Sequence, residues 1–130
     1  MGVNNNRSAS SICQHMVTAV EHLKSMNSRF LILTLPCPSS VLDASGNQVP
    51  LAVAPFITFN YWLRQNYPDN FVDARNVLHR AYNPKSSQDV LDRDDDIIPS
   101  SLRGDAIHFN ATGHAVVAEA VHKKLLEHGW

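Results

Sequence analysis

One apolar run, Phe30 to Leu35, constrains this chain more than any other feature. Pro36 and Pro38 stop the run, and its length is that of a strand rather than of a helix. A strand without alternation of apolar and polar residues is typical of a sheet that is covered on both faces, as parallel sheets are. The run therefore predicts a buried parallel strand within an α/β fold.

Three stretches repeat their apolar residues at helical spacing. The first spans residues 9–26, the second runs from 51 to about 66, and the third begins after Asn110, a residue type that caps helices. A second, shorter strand is predicted over residues 71–78. The order helix, strand, helix, strand, loop, helix again indicates an α/β fold.

Two further stretches are predicted to lack regular structure. Residues 39–47 are rich in turn-forming residues and lead to Pro50, which suits the first turn of the second helix. Residues 79–107 show no apolar period and contain an acidic run, Asp92 to Asp96, which we expect to be a solvated loop. A loop of that length is uncommon in a compact domain unless it is functional or mobile.

Composition limits the possible functions of the chain. With 130 residues, of which 44% are hydrophobic and 18% charged, it corresponds to one globular domain over 1–130. Its net charge of −1 offers no basic face for nucleic acid and no polybasic membrane anchor. No apolar run approaches the roughly 20 residues of a membrane span, and the first residues lack the apolar segment of a signal peptide. Two cysteines, Cys13 and Cys37, form no disulfide framework, so the compartment stays undetermined.

The number of strands is small for the number of helices. Three helices need apolar surface to cover, yet two strands alone make a marginal sheet. Either the pattern misses strands within these residues, or another chain or a missing N-terminal segment completes the sheet next to residues 30–35.

Asp105 and His108, which lie three residues apart just before the last helix, could perform acid–base chemistry. A carboxylate near a histidine accepts the Nδ1–H and leaves Nε2 free to act as a general base. Such a pair activates a hydroxyl nucleophile only if a serine reaches Nε2. The same spacing also occurs in surface pairs that merely shape the start of a helix.

The stretch Asp105-Ala106-Ile107-His108-Phe109-Asn110-Ala111-Thr112-Gly113-His114 resembles the last conserved block of the SGNH (GDSL-type) esterases and acylhydrolases. That block has the pattern D-x-x-H, then Gly-His or Gly-Tyr, then a helix rich in small residues. Near the start of the chain, Gly2-Val3-Asn4-Asn5 resembles the G-x-N-D block of the same family, with Asn5 where the pattern has Asp. The resemblance implies a flavodoxin-like, three-layer α/β/α fold, present here as its C-terminal portion.

The resemblance also implies roles for individual residues. His108 would be the general base and later the general acid, Asp105 its orienting carboxylate, and Asn4 a donor of the oxyanion hole. The expected reaction is hydrolysis of a small ester or an O-acetylated carbohydrate by a Ser-His-Asp mechanism, without a metal or cofactor. The nucleophile's Gly-Asp-Ser block is missing from the 130 residues, so we expect the chain alone to be inactive. The alternative is a catalytically inactive fragment or structural module that docks in a larger assembly.

Other residues suggest other sites, each with less support. Cys37 lies between two prolines and so has no helix N-terminus to lower its thiol pKa, which argues against a thiol nucleophile. Asp92, Asp94 and Asp96 match the first positions of a calcium loop, but Ile97 and Arg103 replace its Gly and Glu. His108 and His114 with Asp105 do not match the spacing of a known metal site.

Overall fold

The structure, a computed structural model, describes residues 8–26, 29–42, 48–50 and 54–130. It is mixed α/β and mostly helical. Along the chain its elements are α1 (Ala9–Met26), β1 (Ile32–Leu33), β2 (Ser40–Leu42), β3 (Gln48–Pro50), α2 (Ala54–Asn66), β4 (Phe71–Val72), α3 (Ala74–Arg80), α4 (Ser87–Asp94), a 3-10 turn (Ser100–Leu102) and α5 (Ala111–Glu127).

The predicted parallel strand pair is present. β1 pairs with β4 in parallel, with Ile32 opposite Phe71 and Leu33 opposite Val72. The N–H of Ile32 donates to Asn70 O at 2.8 Å and that of Thr34 to Val72 O at 2.9 Å, so the hydrogen bonding extends one residue after β1 and one residue before β4. A separate antiparallel hairpin joins β2 to β3. The prediction of a loop over residues 39–47 is wrong at Ser40–Leu42, which form β2, and residues 43–47 lie outside the described part of the chain. Pro50 ends β3 instead of opening α2.

The buried apolar residues of the described chain include two clusters. The first, between α1, α2 and β1, contains Ile12, Val20, Ile32, Phe59 and Leu63. The second, between α3, α5 and the 3-10 turn, contains Ala74, Leu78, Ile98, Leu102 and Val117. None of the helices in the described part of the chain combines the length and apolar composition that a membrane span needs.

The predicted strand over residues 71–78 is wrong beyond Val72. Asp73 stops the extended backbone because its carboxylate accepts the N–H of Asn76 at 3.2 Å and so caps α3. Ala74 and Leu78, which the prediction placed in the strand, instead share the buried face of that helix.

The prediction of a solvated acidic loop is also wrong in part. The segment contains α4, which Ser86 caps by accepting the N–H of Asp89. Asp92 is 1% exposed, and Asp96 is paired with Arg75, whereas the Asp94 side chain is 59% exposed. Periodicity missed α4 because its buried face carries carboxylates rather than apolar side chains.

Candidate active site

Asp105 and His108 lie at the tip of a short closed loop between the 3-10 turn and α5. Arg103 and Phe109 pair as an antiparallel bridge at the base of the loop, and the N–H of Gly104 donates to His108 O at 2.9 Å. The loop leads directly into α5, whose first turn is capped by Asn110. The Asn110 carboxamide oxygen accepts the N–H of Gly113 at 3.0 Å, as the sequence predicted for the start of this helix.

The two predicted residues are in hydrogen-bond contact. His108 Nδ1 lies 2.8 Å from one carboxylate oxygen of Asp105. The other oxygen accepts the backbone N–H groups of Ile107 and His108, both at 2.7 Å. Asp105 therefore shapes the turn and orients the imidazole with the same carboxylate.

The protonation state of Asp105 fixes the tautomer of His108. Its pKa is lowered to about 2, first by the backbone N–H of His108, then by the His108 side chain and by the N–H of Ile107. An ionised carboxylate can only accept hydrogen bonds, so Nδ1 carries the proton in their contact. In a neutral imidazole Nε2 then holds the lone pair, which is the form a general base requires.

The pair is open to solvent. The side chains are 75% exposed for His108 and 59% exposed for Asp105. Within the residues that the structure describes, His108 Nε2 forms no hydrogen bond, to a serine or to any other group. The geometry thus supplies an oriented base whose free nitrogen faces outward.

Two cavities lie elsewhere on the molecule. One of about 480 Å³ lies between β4, α3 and α5, and Val72, Val116 and Lys124 are among its lining residues. Another of about 170 Å³ lies at the carboxyl ends of the parallel strands, where Thr34 and Asp73 meet. Neither of these two cavities is lined by Asp105 or His108.

Sequence reasoning missed the residues that hold the loop. The guanidinium of Arg103 donates to the buried carboxylate of Asp92 at 2.9 Å and to Ser39 Oγ at 3.1 Å. Ser39 in turn contacts the carbonyl of Ala106 through both its N–H, at 3.0 Å, and its hydroxyl, at 3.2 Å. No sequence signal could have found this network, because the residues that share each of its hydrogen bonds are 11 to 67 positions apart in the chain.

The remaining candidates are Asn4, Cys37 and a metal site. Asn4, the predicted oxyanion-hole donor, lies outside the described residues. Cys37 is fully buried, and burial raises the pKa of its thiol, which opposes a role as nucleophile. Across residues 8–26, 29–42, 48–50 and 54–130, no three His, Cys, Asp or Glu side chains cluster as metal ligands.

Comparison of the chain with protein-family models, with curated proteins and with solved structures finds no significant match.

Proposed function

We propose that this chain carries the acid–base part of a serine-type ester hydrolase, as the C-terminal portion of an SGNH-like domain with a flavodoxin-like fold. The observation that carries the proposal is the Asp105–His108 hydrogen bond, which leaves Nε2 as the free basic nitrogen. The position of the pair, directly before the final helix, is where the resemblance in sequence requires it.

The proposed reaction follows from the proton that each residue can accept or donate. Nε2 of His108 takes the proton of a serine hydroxyl while the serine oxygen attacks the ester carbonyl. The resulting imidazolium is stabilised by Asp105 and gives its proton to the departing alcohol. Water then repeats these steps on the acyl-serine and releases the acid. We assign the amide of Asn4 to the oxyanion, a contribution worth about 3–4 kcal/mol of barrier.

These 130 residues contain no Gly-Asp-Ser block. The proposed reaction therefore needs a serine from outside them. We propose that the segment with this serine, from another chain or from an upstream part of the protein, pairs with the edge of β1 that no described strand occupies. Since Ile32 and Thr34 direct their N–H groups to β4, the N–H and C=O of Leu33 point away from it. At the end of this edge the side-chain amide of Asn60 makes two 2.7 Å hydrogen bonds with the backbone of Leu35, as a neighbouring strand would.

Hydrolysis of p-nitrophenyl acetate tests the proposal in two steps. The chain alone should hydrolyse the ester no faster than its His108→Ala variant does. The chain extended by the coding sequence upstream of Met1 should hydrolyse it and react with a fluorophosphonate, which labels activated serines. In that protein His108→Ala should lower kcat about 10⁴-fold or more, as loss of a catalytic-triad histidine does.

His122→Ala is the matched control, because His122 is an exposed histidine on α5 that the proposed reaction does not use. An extended protein that keeps full activity without His108 would overturn the assignment. Rapid hydrolysis by the 130 residues alone would overturn the proposal that the serine comes from outside them.

The exposure of the pair favours a second candidate, a catalytically inactive module docked in a larger assembly. A base that is three-quarters exposed and lines neither cavity is also what a surface turn would present. Fluorophosphonate labelling separates the two functions, since a module leaves the extended protein unlabelled.

A further inference from the structure

We infer that Arg103 is the positioning residue of His108, acting through the buried carboxylate of Asp92 and the hydroxyl of Ser39. As a statement about hydrolysis this inference rests on the proposed function, whereas the orientation of the imidazole can be tested without any catalysis.

The guanidinium of Arg103 is held in one place by three partners from different segments. Its two terminal nitrogens bind Asp92 on α4 and Ser39 after β1, and its Nε donates to Ile98 O at 3.0 Å. The Arg103 side chain is 17% exposed and that of Asp92 is 2% exposed. Gln88 donates to the other carboxylate oxygen of Asp92 at 2.9 Å, so this buried charge is fully partnered. A planar guanidinium that donates hydrogen bonds from all three of its nitrogens has little freedom to move, and we call this group the anchor of the loop.

From this anchor two connections reach the imidazole. The first is the backbone, since Arg103 pairs with Phe109 and Gly104 pairs with His108 at the base of the loop. The second runs from the guanidinium to Ser39 Oγ, whose own proton is donated to the carbonyl of Ala106. Ala106 lies between Asp105 and His108, so the relay holds the tip of the loop as well as its base.

The anchor matters because the pair lies at the surface and its own hydrogen bonds are local to the loop. Asp105 and His108 are both mostly exposed, and a surface ion pair by itself fixes its side chains weakly. An orienting carboxylate is useful only if its own backbone is held still. Arg103 supplies that restraint from the buried side of the loop.

The test is the tautomer of His108, read by ¹⁵N NMR of the neutral imidazole in the full 130-residue chain. Arg103→Ala leaves a buried carboxylate unpaired and endangers folding, so the informative variants are Arg103→Lys and Ser39→Ala. A lysine keeps the charge near Asp92 but cannot also reach Ser39 and Ile98. We expect the Nδ1-protonated fraction of His108 to fall about twofold or more in Arg103→Lys. Ser39→Ala should give a smaller fall, because its backbone N–H still reaches Ala106.

Arg75→Lys is the control, since Arg75 on α3 also forms a partly buried ion pair, with Asp96. It should lower the melting temperature and leave the His108 spectrum unchanged. The inference is overturned if Arg103→Lys keeps the wild-type tautomer, or if Arg75→Lys changes it equally. Neither result depends on a serine, so failed ester hydrolysis and failed positioning are distinguishable.

Discussion

At the scale of single residues, the carboxylates of α4 serve the fold rather than a ligand. Asp89 is fully buried and accepts four hydrogen bonds, from the backbone N–H groups of Asn83 and Ser101 and from the hydroxyls of Ser100 and Ser101. Burial alone would raise its pKa, but these donors outweigh it and lower the pKa to about 2. The carboxylate therefore ties α4 to the 3-10 turn that precedes the candidate loop.

We predict that Asp89→Asn lowers the free energy of unfolding by about 3 kcal/mol. Each carboxylate oxygen of Asp89 receives one backbone N–H, so either orientation of an amide places its NH₂ against a donor. Urea unfolding measures the change, and Asp94→Asn, at an exposed position on the same helix, should cost under about 1 kcal/mol. Equal costs for the two variants would contradict a central role for Asp89.

The pKa of Asp89 also predicts how the stability of the fold depends on pH. Its folded pKa of about 2 lies below the ordinary 3.8, so its contribution is complete above about pH 4 and is lost as the pH falls toward 2. Asp89→Asn should remove about 2 kcal/mol of that acid dependence. An unfolding free energy with the same acid slope in both proteins would argue against this.

The site could be predicted from sequence only where its partners are close in the chain. Asp105, His108 and Asn110 fall within six residues, and local hydrogen-bond rules relate all three. Arg103 and Asp92 were missed because charged side chains are assigned to solvent unless a buried partner is known. That partner is set by packing of α4 against the 3-10 turn, which no spacing in the sequence encodes.

At the scale of elements, the start of α5 is fixed by a close contact with the 3-10 turn. A Cβ at Gly113 would lie 2.2 Å from Leu102 O and 3.2 Å from Leu102 C. Neither atom can withdraw easily, because both belong to backbone and Leu102 O also accepts the N–H of Asn110 at 3.1 Å. The glycine is therefore required by space rather than by backbone conformation.

We predict that Gly113→Ala destabilises the protein by about 2–3 kcal/mol, although alanine is the better helix former by about 1 kcal/mol. Thermal unfolding followed by circular dichroism measures the effect. Gly104→Ala is the matched control, since a Cβ there meets no atom within 4 Å and should change stability by less than about 0.5 kcal/mol. A Gly113→Ala protein as stable as the wild type would mean that α5 is seated differently.

Helices were predicted well where an apolar stripe adjoined polar or capping residues, whereas Pro50 misled the prediction of the start of α2. The described bounds of α1 match the prediction over residues 9–26, and α5 begins after Asn110 as expected. α3 was taken for a strand because Phe71 and Val72 run into apolar residues with only Asp73 between. The capping hydrogen bond of Asp73, rather than any change in hydrophobicity, separates the two elements.

At the scale of the whole molecule, the two apolar clusters draw on different elements. β1 contributes to the first cluster through Ile32, and α5 contributes to the second through Val117. Leu33 on β1 is 39% exposed, although Ile32 before it and Thr34 after it are both buried. The sequence indicated a strand covered on both faces, and in the described residues this covering is incomplete.

The edge of β1 that no described strand covers has a measurable consequence. Unpaired N–H and C=O groups beside exposed apolar side chains are a template for pairing with another strand. We therefore predict that the isolated chain associates, with a sedimentation mass that rises with concentration. Leu33→Lys should abolish that rise, because a charge on an edge strand opposes pairing, while changing stability by under about 0.5 kcal/mol. Leu126→Lys, at a 63% exposed leucine on α5, should leave the association intact. A compact monomer that unfolds cooperatively at every concentration would mean that β1 needs no further strand, and the proposed source of the serine would then lose its docking site.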